Sequence, residues 1–429
     1  HEKVSLQGLK PDLFLKDKHG NPRAIKDWSL EVIQRIRKVF DKYNISSKDY
    51  LKAIDRAEDF IKGDLETVGK KIINEISSKG FIPAHLELAH KYLKDSKAKD
   101  YVFSSFQDME LSTQLLMRAA VRRGVTINIL DRKENFLELV KGDKKEYVCQ
   151  ATKTSKDNYV SILLMENKVV TKEILSDNNI RVPKGNYYTA SNTAKQDFYL
   201  FKGKQIVVKP KLTNFGIGIN ILKENYDYNT FCKVIDFAFS YDSSILIEEF
   251  VEGHEYRFFV LEDNVLGVLR RIPANVDGDG VRNIEELIKL KNQDSLRGKG
   301  YKTPLEKITL GEVEEMFLAQ QDLNKHYVPE RGERVFLREN SNISTGGDSV
   351  DYTDMIHPSY KKIAVEAMRA VKAKVTGLDM MIQDINKPAN NSNYAIIELN
   401  FNPAIHIHCH PYKGKNRKIN EHLLDFLGF

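Results

Sequence analysis

Apolar residues recur at helical spacing in two early stretches, at Leu30, Ile33, Ile36, Val39 and Phe40 and again at Leu65, Val68, Ile72, Ile73 and Ile76. Residues 1–98 are therefore expected to be helical and to carry little chemistry. The pattern then changes. Tyr101 to Phe106 predicts a strand, Ser112 to Arg123 a helix with Gly124 past its end, and Val125 to Leu130 a second strand. This β-α-β spacing has no phosphate-binding glycine fingerprint, so residues 99–165 are expected to form a small α/β unit without a dinucleotide site. From about Glu166 onward, helices predicted over Asn167 to Asp177 and Pro358 to Val375 alternate with short strands. These strands are expected at Gln205 to Lys209, Ser244 to Phe250, Tyr256 to Leu261 and Val265 to Arg271, which makes residues 166–429 an α+β body.

The most informative pair of apolar runs is near the C-terminus. Gly377-Leu378-Asp379-Met380-Met381 and Ile396-Ile397-Glu398-Leu399-Asn400-Phe401-Asn402-Pro403 flank a polar loop from Asp384 to Asn393, which predicts a β-hairpin. If Gln383 pairs with Tyr394, equal index sums place Asp379 opposite Glu398, and Asn400 shares a face with Glu398 two positions away. Three oxygen donors then converge, a set suited to Mg²⁺, which keeps positions open for water and phosphate. The competing reading is a solvated hairpin face, but the apolar neighbours make an idle buried carboxylate expensive.

Two further segments extend this chemistry. Ile206-Val207-Val208-Lys209 leads a cation out of an apolar strand into a loop with Gly216 and Gly218, where backbone amides can approach an anion closely. A plain hairpin turn has the same pattern, and the loop lacks the Gly-Lys-Ser/Thr ending of a Walker motif. Ile245-Leu246-Ile247 runs into Glu248, Glu249, Val251 and Glu255, a switch from core to cleft wall or to a solvated strand end.

The chain has 429 residues and a net charge of +6 from 66 basic and 60 acidic side chains that are interleaved, so nucleic acid is not an expected partner. No apolar run approaches the roughly 20 residues that span a bilayer, and the start lacks a signal-peptide pattern, so no membrane partner is expected. Cys149, Cys232 and Cys409 are odd in number and far apart, which argues against disulfides or structural zinc and for a reducing, cytoplasmic location. The chain opens at His1, which leads us to expect a piece of a longer protein.

Taken in order, phosphate loop, acid-ending strand and metal hairpin resemble the ATP-grasp superfamily of carboxylate–amine ligases, roughly from Glu166 to Pro403. The resemblance implies an ATP-grasp fold, with Lys168 and Lys209 holding ATP phosphates. It makes Glu248, Glu249 and Val251 the adenine hinge, Glu255 the ribose acid, and Asp379, Glu398 and Asn400 ligands of two Mg²⁺ ions that Mn²⁺ can replace. The strings Arg270-Arg271-Ile272-Pro273-Ala274-Asn275-Val276-Asp277-Gly278-Asp279-Gly280 and Leu337-Arg338-Glu339-Asn340-Ser341-Asn342-Ile343-Ser344-Thr345-Gly346-Gly347 are similar to loops of cyanophycin synthetases and of the glutathione-synthetase module of bacterial bifunctional glutathione synthases. The latter resemblance extends to Glu110-Leu111-Ser112-Thr113-Gln114, Asp131-Arg132-Lys133-Glu134-Asn135-Phe136, Ala151-Thr152-Lys153-Thr154-Ser155-Lys156-Asp157 and Met165-Glu166-Asn167-Lys168. It implies ligation of γ-glutamylcysteine with glycine by a homodimer, with residues 1–98 as the helical tail of a γ-glutamylcysteine synthetase module. Arg271 and Arg338 are then expected to grip substrate carboxylate or acyl phosphate, and Asn340 and Ser344 to orient peptide or glycine. A cyanophycin-like or D-alanine-type peptide ligase and a non-catalytic scaffold are the alternatives.

His406, His408 and His410 alternate around Cys409. Read as a strand, they are expected to line the substrate cleft rather than hold zinc, because alternation alone does not make a tetrahedral site. Lys141 to Lys145 are expected in a solvated turn.

Overall fold

A computed structural model describes Tyr101, Phe103, residues 106–211 and residues 218–429. The helices expected around residues 30–40 and 65–76 lie outside the described residues, as does Gly216. The chain divides into two compact units, residues 1–151 with 420–429, and residues 152–419.

In the first unit, α1 (Leu111–Arg122) is followed by β1 (Thr126–Asp131), β2 (Phe136–Lys141) and β3 (Lys144–Cys149), which pair as an antiparallel meander. The expected β-α-β unit is therefore not what forms. Tyr101, Phe103 and Phe106 are not in a strand, and the sheet is built after the helix by local hairpins. Gly142, at φ +59°, makes the β2–β3 turn within the lysine-rich stretch. Leu116, Met117, Ile127, Leu137 and Leu139 are buried.

The second unit begins with α2 (Tyr159–Glu166) and α3 (Lys168–Asp177). Asn167 ends the first helix and caps the second, its side chain accepting from the Val170 N–H, so Lys168 sits in the first turn of α3. Next come β4 (Gly185–Tyr188), β5 (Ile206–Pro210), β6 (Asn220–Leu222), α4 (Tyr228–Phe239) and β7 (Ile245–Glu249). The four strands form an antiparallel sheet of order β4-β7-β5-β6, whose core contains Val208, Phe231, Ile235 and Ile247.

A second antiparallel sheet follows from β8 (His254–Leu261) and β9 (Asn264–Ile272). Between its strands an insert is built on β10 (Asn275–Asp277), α5 (Ile284–Lys291), α6 (Glu312–Ala319) and β11 (Arg334–Phe336), around Ala274, Ile284, Leu318 and Val335. The sheet is completed by β12 (Asp348–Asp351), β13 (Val375–Ile382) and β14 (Tyr394–Asn400), in the order β12-β9-β8-β13-β14. Helix α7 (Pro358–Ala370) buries Tyr360, Ala364 and Ala367 among Phe258, Leu378, Met380 and Ile396. It stops short of the predicted Val375, because Val375 already belongs to β13.

The short helix α8 (His406–Cys409) replaces the strand expected there, so the three histidines do not alternate on one face. His408 is fully buried against Phe259 and Gly267 and does not line a cleft. The last helix, α9 (Ile419–Leu427), belongs to the first unit, where Glu421 accepts hydrogen bonds from Arg122 (2.6 Å) and Arg123 (2.8 Å). Cys149, Cys232 and Cys409 form no disulfide among the described residues. Among the described residues no helix is long and apolar enough to cross a membrane.

Candidate active site

The β13–β14 hairpin places Asp379 directly opposite Glu398, with Leu378 opposite Leu399 and Gly377 opposite Asn400. The loop end is different from the equal-sum expectation, since Tyr394 pairs with Ile382 rather than Gln383. A bulge at Ile397 absorbs the difference between Met380↔Ile396 and Asp379↔Glu398. It also lets Ile396 face the apolar core while Glu398, two residues on, joins the polar cluster. The Ile396 N–H donates to the Arg181 carbonyl at 2.9 Å.

Asp379 is buried and held by two arginines. Arg257, its cross-strand partner on β8, binds both carboxylate oxygens, the Nη2–Oδ2 contact being 2.8 Å. Arg271 on β9 donates to Oδ2 at 3.1 Å. Burial alone would raise the Asp379 carboxyl, but Arg257 and Arg271 together hold it down at about 2. Arg271 also pairs with Glu255, which in turn accepts from the Ser341 hydroxyl. Arg271 thus links the carboxylates read from the sequence as ribose and metal acids, while its buried Nε has no hydrogen-bond partner among the described residues. Asn400 donates to Glu398 Oε1 at 3.2 Å.

A second cluster meets this one from α3 and the first sheet. Lys168 Nζ is 4.0 Å from Glu398 Oε2. Burial lowers its pKa, with Glu398 opposing and Lys209 adding to the shift. Glu248, buried on β7, gives one carboxylate oxygen to Lys172 and the other to Lys209 at 2.8 Å. Burial would raise Glu248, yet Lys209 and Lys172 keep it lowered. Burial would lower Lys209, but Glu248 more than offsets this and raises it. Lys168, Lys172, Ile397 and Glu398 line one small cavity.

At the end of β7 the Glu249 and Phe250 N–H groups reach the carbonyls of Lys184 (2.8 Å) and Gln205 (3.0 Å). Val251 follows, buried and with no hydrogen bond among the described residues. Gly218 is held by geometry: at φ +76° an added Cβ would lie 2.6 Å from the Pro210 ring. Arg338 is engaged by buried Glu314 of the insert, Asn340 accepts from the Thr345 hydroxyl at 3.0 Å, and Ser344 lies in the turn Ile343–Thr345. Of this segment, Ser341 is the member bonded to Glu255.

Sequence reasoning missed Arg257 and Lys172. Both had a signal in spacing. Arg257 is two residues from Glu255 on one strand and must share its face. Lys172 is four residues from Lys168, one helical turn along the same side. Among the described residues no three acidic, histidine or cysteine side chains gather as a metal centre. Asp379, Glu398 and Asn400 are two carboxylates and an amide, hard oxygen donors that fit a divalent cation requiring few protein ligands.

An ATP-grasp-like domain family matches residues 107–160. The chain is 51% identical over 427 residues to the glutathione biosynthesis bifunctional protein of Clostridium perfringens, covering 100% of this chain and 55% of that protein. To the protein of the same description from Desulfotalea psychrophila it is 47% identical over 428 residues, again covering 100% of this chain and 55% of the relative. The chain therefore spans about half the length of the curated relatives it matches. Among solved structures, a bifunctional glutathione synthetase from Pasteurella multocida is similar at TM-score 0.67 and 38% identity, over 93% of this chain and 55% of that one.

Proposed function

We propose that this chain, which aligns along its whole length with part of the glutathione biosynthesis bifunctional proteins, is an ATP-grasp ligase that joins γ-glutamylcysteine to glycine, driven by ATP. The observation that carries this reading is the meeting of Lys168, from the lysine cluster, with Glu398, from the carboxylate hairpin, at 4.0 Å. Phosphate-binding cations and metal-binding oxygens belong together in phosphoryl transfer and in few other chemistries.

ATP-grasp ligases use ATP and a divalent metal. Here Glu398, Asn400 and Asp379 would hold the metal, which when bound offsets charge on the transferred phosphate. Lys168 and Lys209 bind phosphate oxygens, the segment from Glu249 to Val251 takes the adenine edge, and Glu255 takes the ribose. The cysteinyl carboxylate of the dipeptide attacks the γ-phosphorus, giving an acyl phosphate and ADP. The glycine amine then attacks the acyl carbon and phosphate leaves. No protein nucleophile is needed, so the side chains act by positioning and electrostatics. Support for Arg271 as a grip on acyl phosphate or carboxylate comes from its Nε, a buried donor without an acceptor among the described residues. Arg338, Asn340 and Ser344 are assigned to peptide or glycine from their sequence context. The same reading includes two Mg²⁺ ions replaceable by Mn²⁺, a homodimer and a cytoplasmic location.

Phosphate release with a panel of γ-glutamyl dipeptides and amino acids tests the proposal. Turnover confined to γ-glutamylcysteine with glycine is expected. Turnover with D-alanine or an aspartyl peptide in their place would assign a different ligase.

A further inference from the structure

Lys172 stands outside the roles assigned above, yet it is built into the site. On α3, one turn beyond Lys168, it takes Glu248 Oε1, while Lys209 on β5 takes Oε2. Lys172, Glu248 and Lys209 are all buried, and α3 and the first sheet belong to different apolar cores. One carboxylate needs one cation for neutrality. A purely structural ion pair would be complete with either lysine, so the second lysine is more than that carboxylate requires.

We propose that Lys172 is a positioning residue for the nucleotide: by occupying one oxygen of Glu248 and lying against Lys209, it holds the Lys209 ammonium to the other carboxylate oxygen with a donor left for the phosphate chain. The inference rests on the reading of Lys209 as a phosphate ligand. The ammonium of Lys209 has one carboxylate contact among the described residues, at 2.8 Å, and carries three donors. Without Lys172, both oxygens of Glu248 would compete for those donors and draw the ammonium into the sheet. Beyond Glu248, Lys209 faces Glu398 and Lys168, and Asp242 acts on Lys168. Burial and then the neighbouring Lys209 bring Lys172 down to about 7, while Lys209 is held up. Lys172 is thus the member that yields its proton first, so Lys209 stays cationic, and a neutral amine at Lys172 still donates to Glu248.

Calorimetric titration of the full chain with ATP and with adenosine tests this. In Lys172→Met, ATP affinity is expected to fall about tenfold to a hundredfold, the loss of one charge-assisted hydrogen bond, while adenosine affinity stays within about twofold. Lys172→Gln keeps a donor of similar length without the charge, serves if the first variant does not fold, and should lose ATP affinity in the same direction by less. An unchanged ratio of ATP to adenosine affinity in the folded variants, even with a lowered apo thermal midpoint, would make Lys172 a structural cation and overturn the inference. Ligation by wild type of γ-glutamylcysteine with glycine reports on the proposed function separately, since the affinity ratio does not depend on which acid or amine is joined.

Discussion

The lysine cluster and the arginine cluster lie within reach of one another, yet they are composed differently. Lys172, Glu248 and Lys209 put two cations on one carboxylate. Arg257, Arg271, Asp379 and Glu255 are balanced, two guanidiniums against two acids, with forked contacts to Asp379. Lysine is a point charge that can turn its remaining donors to a new oxygen, and arginine fixes a carboxylate in one plane. The imbalance suits the proposed role of receiving a polyanion. The balance suits one that must hold ligand oxygens still.

The largest effect that would sharpen this contrast is expected at the contact between the two clusters. Glu398→Gln should lower turnover by roughly two to three powers of ten with ATP affinity less affected, because in the proposed function it acts on the transferred phosphate. Near-normal turnover at ordinary Mg²⁺ would remove Glu398 from the mechanism.

On the balanced side, Arg257→Met strands a buried Asp379 with Arg271 as its remaining partner. A stability loss of about 3 kcal/mol is expected from denaturant unfolding, together with weaker Mg²⁺ binding. Unchanged stability would mean that Arg271 alone suffices for Asp379, and the balance would lose its meaning. The lysine side should respond in the opposite way. Lys209→Met leaves the Lys172–Glu248 pair neutral and intact, so the apo thermal midpoint should move little while ATP affinity falls about tenfold or more. A large apo loss with normal ATP binding would make Lys209 the structural cation.

The smallest effect concerns His408, buried near the charge of Arg257 with neither ring nitrogen hydrogen-bonded among the described residues. Burial and then Arg257 push it down to about 3, below its ordinary value of 6.5. As pH falls through about 6.5 the unfolded chain takes up a proton that the folded chain refuses, so stability is lost from there down toward pH 3. The contribution is about 1.4 kcal/mol at pH 5.5. His408→Leu should flatten the thermal midpoint against pH in this window. An unaltered profile would show that the region beside Arg257 accepts another cation.

Much of this was readable in the sequence because it depended on periodicity. The strands carrying Lys209, Glu248, Glu255 and Arg271 lie within a residue or two of where alternation put them. Asp379 faces Glu398 although the assumed Gln383–Tyr394 pair does not form, since the bulge at Ile397 compensates for a shift that no pairing rule could supply. What was not readable depended on partners. The carboxylate of Glu248 looks like a strand terminus until α3 is packed beside it with Lys172, and Arg257 looks like one more charge until β13 is its neighbour. The histidines of α8 followed a period of two by chance and fold with a period near 3.6.

The bulge has a bearing on which length changes the chain can tolerate. Asp379 and Glu398 are registered by the ladder on the far side of Ile397 from the loop, and all eight residues of β13 are paired again with β8. The facing of the two acids is therefore set by strand pairing and does not depend on which residues pair at the loop end. A single residue added between Glu398 and Asn400 would, by contrast, turn the amide to the opposite face of the sheet.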